Sequence, residues 1–292
     1  MLAAGRHPLA ASVERALIER CHVGHGDSIL VGCSGGADSC ALAVLLSALA
    51  SRRDPLISSP VLLHVDHGIR PESSSESDLV RALADRIGAS FRGVSLHMDP
   101  DQNDLAASAR TARYAAFDDL ASALGIHCVA CAHHAEDRFE TIIHGLCRGV
   151  GVEALSNPRW HRASGGASLI RPLLDVSRKD LRAFCLALEI DFFDDPTNSD
   201  PSTMRGGLRD SVLPRLEDRW PGASLRASAA MDRISVAWNS LDREILAVLK
   251  HASSDRLELS LLPEGESGFI SVVVRKWILK YAASHGHDLQ DR

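Results

Sequence analysis

Ser34-Gly35-Gly36-Ala37-Asp38-Ser39 holds the residue types best suited to chemistry in this chain. It follows the apolar run Ile29–Cys33 and opens the apolar stretch Cys40–Leu46. A glycine-rich turn between a strand and a helix N-terminus is an anion site, because free backbone N–H groups and the helix dipole converge there. Gly35 and Gly36 let the backbone approach an oxyanion with no Cβ in the way. Ser34 and Ser39 add hydroxyl donors. Asp38 would repel a phosphate unless a divalent cation sat between them, which points to Mg²⁺. The turn lacks the Gly-Lys-Ser/Thr ending of a Walker loop, so it brings no lysine to the terminal phosphates.

A second set of reactive residues is His133-His134-Ala135-Glu136-Asp137-Arg138-Phe139-Glu140-Thr141, just after the apolar run Ile126–Cys131. Ligands of open α/β sheets bind at the carboxyl ends of strands, where this segment falls. Helical spacing puts His133, Asp137 and Thr141 on one face and Glu136 with Glu140 on the adjoining one. Such acids suit a metal ion and a cationic substrate; acids at a helix start are also favoured by the dipole alone. His64-Val65-Asp66-His67-Gly68-Ile69-Arg70 ends another apolar run, with nucleotide contact or loop structure preferred there over a zinc site. Arg110 and Arg113 share a helical face, fit to neutralise a phosphate or to pair with Asp104 or Asp118. Cys128 and Cys131 are spaced as a CxxC, but on a strand they face opposite sides, which favours a buried apolar pair over redox chemistry.

The elements that must position these residues alternate apolar strands with helices over the first two-thirds of the chain, so we expect an α/β fold with a doubly wound parallel sheet. Strands are expected at Ile29–Cys33, Pro60–Asp66, Ala89–Leu96, Ile126–Cys131 and Leu169–Leu173. Asp104 is the expected N-cap of a helix reaching Leu124 and stopped by Gly125. Ser177 caps another through Leu188. The Asp-, Pro-, Asn-, Ser- and Gly-rich stretch Asp194–Asp210 reads as a loop at a domain edge. Helical spacing resumes after Leu216, so residues 1–215 are taken as a nucleotide-binding catalytic domain and 216–292 as a small, mainly helical one.

The 292 residues are 45% hydrophobic and only 4% aromatic, so the cores must be built from Leu, Val, Ile and Ala. No window has the apolar length to span a bilayer, and the first residues lack a secretion signal. Seven scattered cysteines fit free thiols in a reducing, cytoplasmic setting. The net charge of −6 is against a strongly basic nucleic-acid binder. Its positive charge is nearly all arginine, clustered as Arg148, Arg159, Arg162 and Arg171, and as Arg178, Arg182, Arg205, Arg209, Arg215 and Arg219. Such clusters can form a local phosphate-binding face.

The turn matches the SGGxDS signature of the N-type ATP pyrophosphatases, and the ordered motifs together resemble the bacterial tRNA(Ile)-lysidine synthases. The resemblance covers roughly residues 25 to 220. It includes the turn, His64–Arg70, Arg110-x-x-Arg113-Tyr114, His133–Thr141, Arg148-Gly149, Ile170-Arg171-Pro172-Leu173-Leu174 and Asp194-Asp195-Pro196-Thr197-Asn198. It implies an adenine nucleotide α-hydrolase-like fold and an ATP-dependent carbon–nitrogen ligase. Its partners would be a CAU-anticodon isoleucine tRNA and free L-lysine, with a homodimer among the assemblies to expect and no membrane. Carried over residue by residue, the resemblance puts ATP on Ser34, Gly35, Gly36, Ala37, Asp38, Ser39, His64, Val65 and His133. It puts Mg²⁺ on Asp38 and Asp137, the lysine ammonium on Glu140, and nucleotide or tRNA on Arg113 and Arg205. The chain departs from the family in three places. Glu136 replaces an Asp. Arg205-Gly206-Gly207-Leu208-Arg209-Asp210-Ser211 lacks the family's Asn and its last Arg, with two glycines expected to loosen the loop. The tail after Trp220 matches poorly. The alternatives are a tRNA thiolase of the same fold and a tRNA-binding protein without turnover.

Overall fold

The computed structural model describes residues 2–66, 68, 73–96, 98, 105–164, 166–194, 203–252, 257 and 267–284. The expected cap Asp104, the residues His67, Ile69 and Arg70, the segment Asp195–Asn198 and much of Asp255–Arg292 lie outside them. The chain divides into two compact units, Met1–Asp232 and Arg233–Arg292.

The first unit begins with α1 (Leu2–Arg6) and α2 (Pro8–Glu19). It then alternates β1 (Ile29–Gly32), α3 (Ala37–Ala50), β2 (Val61–Asp66), α4 (Ser73–Ile87), β3 (Ser90–Ser95), α5 (Leu105–Leu124), β4 (Cys128–Ala130) and α6 (Ala135–Cys147). A short α7 (Val152–Leu155) leads to β5 (His161–Ser164) and β6 (Ala167–Ile170), followed by α8 (Arg178–Ala187). The sheet order is β3-β2-β1-β4-β6-β5. All neighbours are parallel except the edge pair β5·β6, a tight antiparallel hairpin that the strand pattern did not reveal. Leu30 of β1 is in register with Val61 of β2 on one side and Val129 of β4 on the other. The chain therefore leaves β1 in one direction and returns on its other side at β4. The crevice at that reversal is where ligands of open α/β sheets sit.

Alternation along β1 splits the core into two layers. Ile29 and Val31 join the buried cluster with α2, α3, α4 and α8, while Leu30 joins Phe117 and Ala121 of α5 on the other face. α3 is apolar nearly all round and buried from Ser39 to Leu49, as a helix between sheet and neighbours must be. Gly32 ends β1 because nothing larger fits: a Cβ there would stand 2.7 Å from Phe117 Cζ. Cys128 and Cys131 fall in the two different clusters, on opposite faces of the sheet.

The expected loop between Asp194 and Asp210 is helical where it is described. α9 (Met204–Gly207) runs into one π-helical turn, Leu208–Val212, and then α10 (Leu213–Arg219). The glycines do not keep this stretch open, because Thr203 Oγ1 caps it by accepting from Gly206 N at 3.0 Å, and Gly206 itself is buried. α11 (Ala223–Leu249) starts in this unit and is tied to α6 by Arg138. That fully buried guanidinium donates to Asp232 Oδ1 (2.7 Å), Ser228 O (3.0 Å) and Pro158 O (3.1 Å). Trp160 Nε1 donates to the same carboxylate at 2.8 Å.

In the second unit, Trp238, Ile245 and Leu249 of α11 form a small core with Val273 of α12 (Ser267–Ser284), and Lys276 pairs with Asp242. Among the described residues no helix is long and apolar enough to cross a membrane.

Candidate active site

A cleft of about 400 Å³ opens at the carboxyl ends of β1 and β4, within the range usual for small-ligand sites. Its floor is the Ser-Gly-Gly turn. Gly35 holds φ +88, which only glycine adopts without strain, and Gly36 starts α3 with no side-chain cap, leaving the helix N-terminus open to a ligand. Ser39 locks the turn: its Oγ donates to Gly36 O (2.9 Å) and accepts from Ser34 N (3.2 Å). Phe193 N closes the far side by donating to Gly35 O at 2.8 Å. Ser34, Gly36, Ala37, Asp38 and Ser39 line the cleft; Gly35 is buried behind them.

His64 and Val65 reach the same cleft from the end of β2. His64 Nδ1 lies 3.1 Å from Cys33 O, and since a carbonyl only accepts, that nitrogen carries the proton. Its Nε2 is buried with no partner. Arg110, Arg113 and Tyr114 of α5 form another wall, with Arg110 Nη2 donating to the Tyr114 hydroxyl at 3.2 Å. Asp118 is engaged elsewhere, accepting from Ser164 Oγ.

The acidic wall begins at the N-terminus of α6. His134, not His133, is the N-cap, and its backbone N–H donates to Asp137 Oδ2 at 2.9 Å. The His134 ring is buried among acids: Nδ1 is 3.0 Å from Glu136 Oε2, while Nε2 lies 3.5 Å from both Asp38 Oδ2 and Asp137 Oδ2. Burial works against its charge, but Asp137, Asp38 and Glu136 outweigh burial and raise its pKa well above the usual histidine value. Burial likewise opposes charge on Asp137, yet His134, His133 and Arg209 hold that carboxyl below its usual range. His133 behaves oppositely to its neighbour: burial pushes it down to about 4, so it stands neutral at the cleft wall near pH 7.

Asp38 and Asp137 thus meet at one ring nitrogen, beside the Ser-Gly-Gly turn. Asp38 Oδ1 is buried and has no hydrogen-bond partner. Two carboxylates, one with an orphaned oxygen, suit a hard cation that completes its shell with phosphate oxygens and water. Among the described residues no cluster of three or more His, Cys, Asp or Glu is arranged to cage a metal by itself. The residues present therefore fit Mg²⁺ held jointly with a polyphosphate.

Glu140 and Arg205 are placed differently from the other candidates. Glu140 is buried and does not line the cleft; Arg209 covers it. Arg209 Nε donates to Glu140 Oε1 (2.7 Å) and Nη2 to Glu140 Oε2 (3.1 Å), and Nη2 also reaches Asp137 Oδ1 at 3.3 Å. Burial raises the Glu140 pKa, with Arg209 pulling against it. Arg205 is exposed on α9 and takes no part in the cleft wall. Arg209, four residues on, does. Arg178 and Asp194 also line the cleft, the latter forked by Arg182 at 2.7 and 2.8 Å. From the sequence, Arg178 and Arg209 stand in an arginine cluster and Asp194 in a motif of the resemblance, none of them with a site role. The signals available were the surviving Arg209 of the altered Arg205–Ser211 segment and the place of Asp194 in the Asp194–Asn198 motif.

The family model for the PP-loop domain matches residues 9–216. The chain is 38% identical over 219 residues to the tRNA(Ile)-lysidine synthase of Salinispora tropica, covering 74% of this chain and 64% of that protein. It is 32% identical over 261 residues to the tRNA(Ile)-lysidine synthase of Alkalilimnicola ehrlichii, covering 88% and 57%. The match thus spans less than two-thirds of the length of these relatives. Among solved structures, the U34-tRNA thiolase NcsA from Methanococcus maripaludis with its [4Fe-4S] cluster superposes with a TM-score of 0.65 at 15% identity, covering 84% of this chain and 80% of that one, which is a likeness of fold. Because the matched segment takes in most of the chain, with the turn, the acidic wall and the sheet reversal between them, the chain belongs to the family of PP-loop domains.

Proposed function

We propose that this chain joins free L-lysine to the wobble cytidine of a CAU-anticodon isoleucine tRNA at the expense of ATP. The observation that carries the reading is the meeting of the oxyanion turn with the acids Asp38 and Asp137 in one cleft, with Glu140 just behind them. The names of the relatives support the same reaction.

In this reading the ATP phosphates lie on Ser34, Gly35, Gly36, Ala37 and Ser39, with His64 and Val65 along the adenine and neutral His133 near a phosphate. The C2 carbonyl oxygen of cytosine attacks the α-phosphorus and pyrophosphate leaves. The ε-amine of lysine then attacks C2, loses a proton, and AMP departs with the oxygen. An amide-like oxygen is a poor leaving group and an adenylate is a good one. The chain therefore needs no nucleophile; its work is positioning and charge stabilisation. Asp38 and Asp137 would hold Mg²⁺, which when bound neutralises phosphate charge. Arg113 counters charge on the nucleotide, and exposed Arg205 offers a contact to RNA phosphate. Glu140 supplies the anion for the lysine ammonium. A cytoplasmic setting and a homodimer belong to the same reading.

A thiolase would need two cysteines able to share a sulfur. Here Cys128 and Cys131 lie on opposite faces of the sheet, both raised by burial, Cys131 to about 11. A binder without turnover would have no use for the paired acids at the turn. The test is incubation with ATP, Mg²⁺, labelled lysine and total tRNA, followed by nucleoside digestion. Label in a modified cytidine is the expected result; label confined to free lysine, with sulfur or nothing added to the RNA, would overturn the proposal.

A further inference from the structure

We propose that Arg209 is a positioning residue that gates the lysine seat. In the substrate-free protein its guanidinium occupies Glu140, and the ammonium of an incoming lysine must displace it. The proposal rests on the reading that this cleft takes lysine.

The side chain of Glu140 is only 3% exposed. A charge on a carboxylate so buried is costly unless a cation sits beside it. Arg209 provides one by forking both oxygens, at 2.7 and 3.1 Å, so neither oxygen faces the cleft uncovered. The same guanidinium reaches Asp137 at 3.3 Å, and so lies across both acids that the reaction requires. Its own side chain is 24% exposed and lines the cleft, so it has somewhere to go. The backbone that carries it is one turn of π-helix directly after Gly206-Gly207. π-helical turns are uncommon and recur at functional sites.

Exchange of one cation for another explains why a buried acid can serve as a substrate seat at all. Glu140 is never bare: Arg209 leaves as the ammonium arrives, and the charge balance of the pocket is kept. An uncharged amine cannot make this exchange. The freed guanidinium enters a cleft whose floor is built for polyanions, so occupation of the lysine seat delivers a positive charge toward the nucleotide.

The test is equilibrium dialysis of labelled lysine against the full chain, without tRNA or ATP. We expect Arg209→Ala to bind lysine about tenfold more tightly than the unaltered chain, since a charge-assisted fork no longer has to be broken. Arg209→Lys, which keeps the charge but not the fork, should shift the same way by less. Adding Glu140→Gln to Arg209→Ala should cancel the gain. Unchanged or weaker binding in folded Arg209→Ala overturns the gate. If circular dichroism shows that variant unfolded, Arg209→Lys decides, and affinity equal to that of the unaltered chain overturns it. Methylguanidinium is a probe independent of lysine: it should raise the melting temperature of Arg209→Ala but not of Arg209→Ala/Glu140→Gln, and equal shifts overturn the cation seat. The two readings fail separately. Lysine joined to tRNA with no affinity change in Arg209→Ala removes the gate alone. A methylguanidinium shift in a protein that joins no lysine removes the lysine reading, and the gate for lysine with it, and leaves a cation seat.

Discussion

The floor of the cleft and its acidic wall are built from different materials. The floor is backbone: Gly35 in a left-handed conformation, the uncapped start of α3, and Ser39 bonded back into its own turn. The hydrogen bonds within the turn join residues no more than five apart, and Phe193 N braces it from outside, so it stands ready whether or not a ligand is present. The wall is side chains brought from far apart. Arg209 reaches Glu140 across 69 residues, and Asp38 meets Asp137 through His134. Its charges are largely set against one another, and in the gate proposed above the Arg209–Glu140 pair must open when lysine arrives. A preformed anion seat facing an acidic wall that must rearrange suits a reaction in which the nucleotide is a constant and the attacking amine is selected.

The largest expected effect falls where the two regions touch. Asp38→Asn should slow pyrophosphate release by on the order of a thousandfold, the loss of one charged contact to a metal–phosphate transition state. Circular dichroism should stay unchanged, because asparagine keeps the shape of the side chain, Oδ1 has no hydrogen bond and Oδ2 makes only the 3.5 Å contact with His134. Turnover near normal would remove the metal assignment and with it the link between floor and wall.

Arg138→Met probes the frame under the wall without touching the cleft. It leaves Asp232 without its cationic partner, and breaking such a pair costs about 3 kcal/mol or more; partial exposure of Asp232 and the remaining donor Trp160 Nε1 place the effect at the lower end. Thermal unfolding measures it, with a fall in melting temperature and little change in the lysine KM of the enzyme that remains folded. An unchanged melting temperature would show that α6 is held by other contacts.

Gly35→Ala tests the floor. The added Cβ meets only ordinary contacts, Val80 Cγ2 at 3.6 Å being the nearest, so the cost is conformational. At φ +88 it amounts to about 1–2 kcal/mol. The ATP KM should rise while the lysine KM stays, a split that distinguishes floor from wall. A parallel rise in both would mean the two regions move together.

These contrasts also explain what could be read from sequence. The turn, the alternation of strands with helices and the apolar run of β1 depend on local chemistry and periodicity, which a sequence displays. Ser177 as the cap of α8 was legible for the same reason, its hydroxyl accepting from Asp180 N. The hairpin β5·β6 was not, since each strand is four residues long and carries little alternation. The part of the Asp194–Asp210 stretch from Thr203 on reads as loop because Gly206 and Gly207 disfavour helix. Tertiary burial of Gly206 and the Arg209 ion pairs decide otherwise. Glu140 was legible as an acid near the site but not as one covered by arginine, because the covering residue comes from another part of the chain.

The smallest expected effect is that of Cys128→Ala with Cys131→Ala. The two thiols face separate cores, and alanine in place of Cys131, which also borders the cleft, keeps that wall small and apolar, so lysine-dependent turnover should change less than about threefold, with a modest loss of stability. Abolished tRNA modification at an unchanged fold would revive sulfur chemistry.

The central claim is that one cleft couples the anion floor to the acidic wall in a single reaction. Product stoichiometry tests it most directly: with a CAU-anticodon isoleucine tRNA, ATP and lysine, AMP, pyrophosphate and tRNA-bound lysine are counted over the same interval. Equal amounts of all three are expected, with AMP release arrested when lysine is withheld. AMP and pyrophosphate formed steadily without lysine joining the RNA would contradict it.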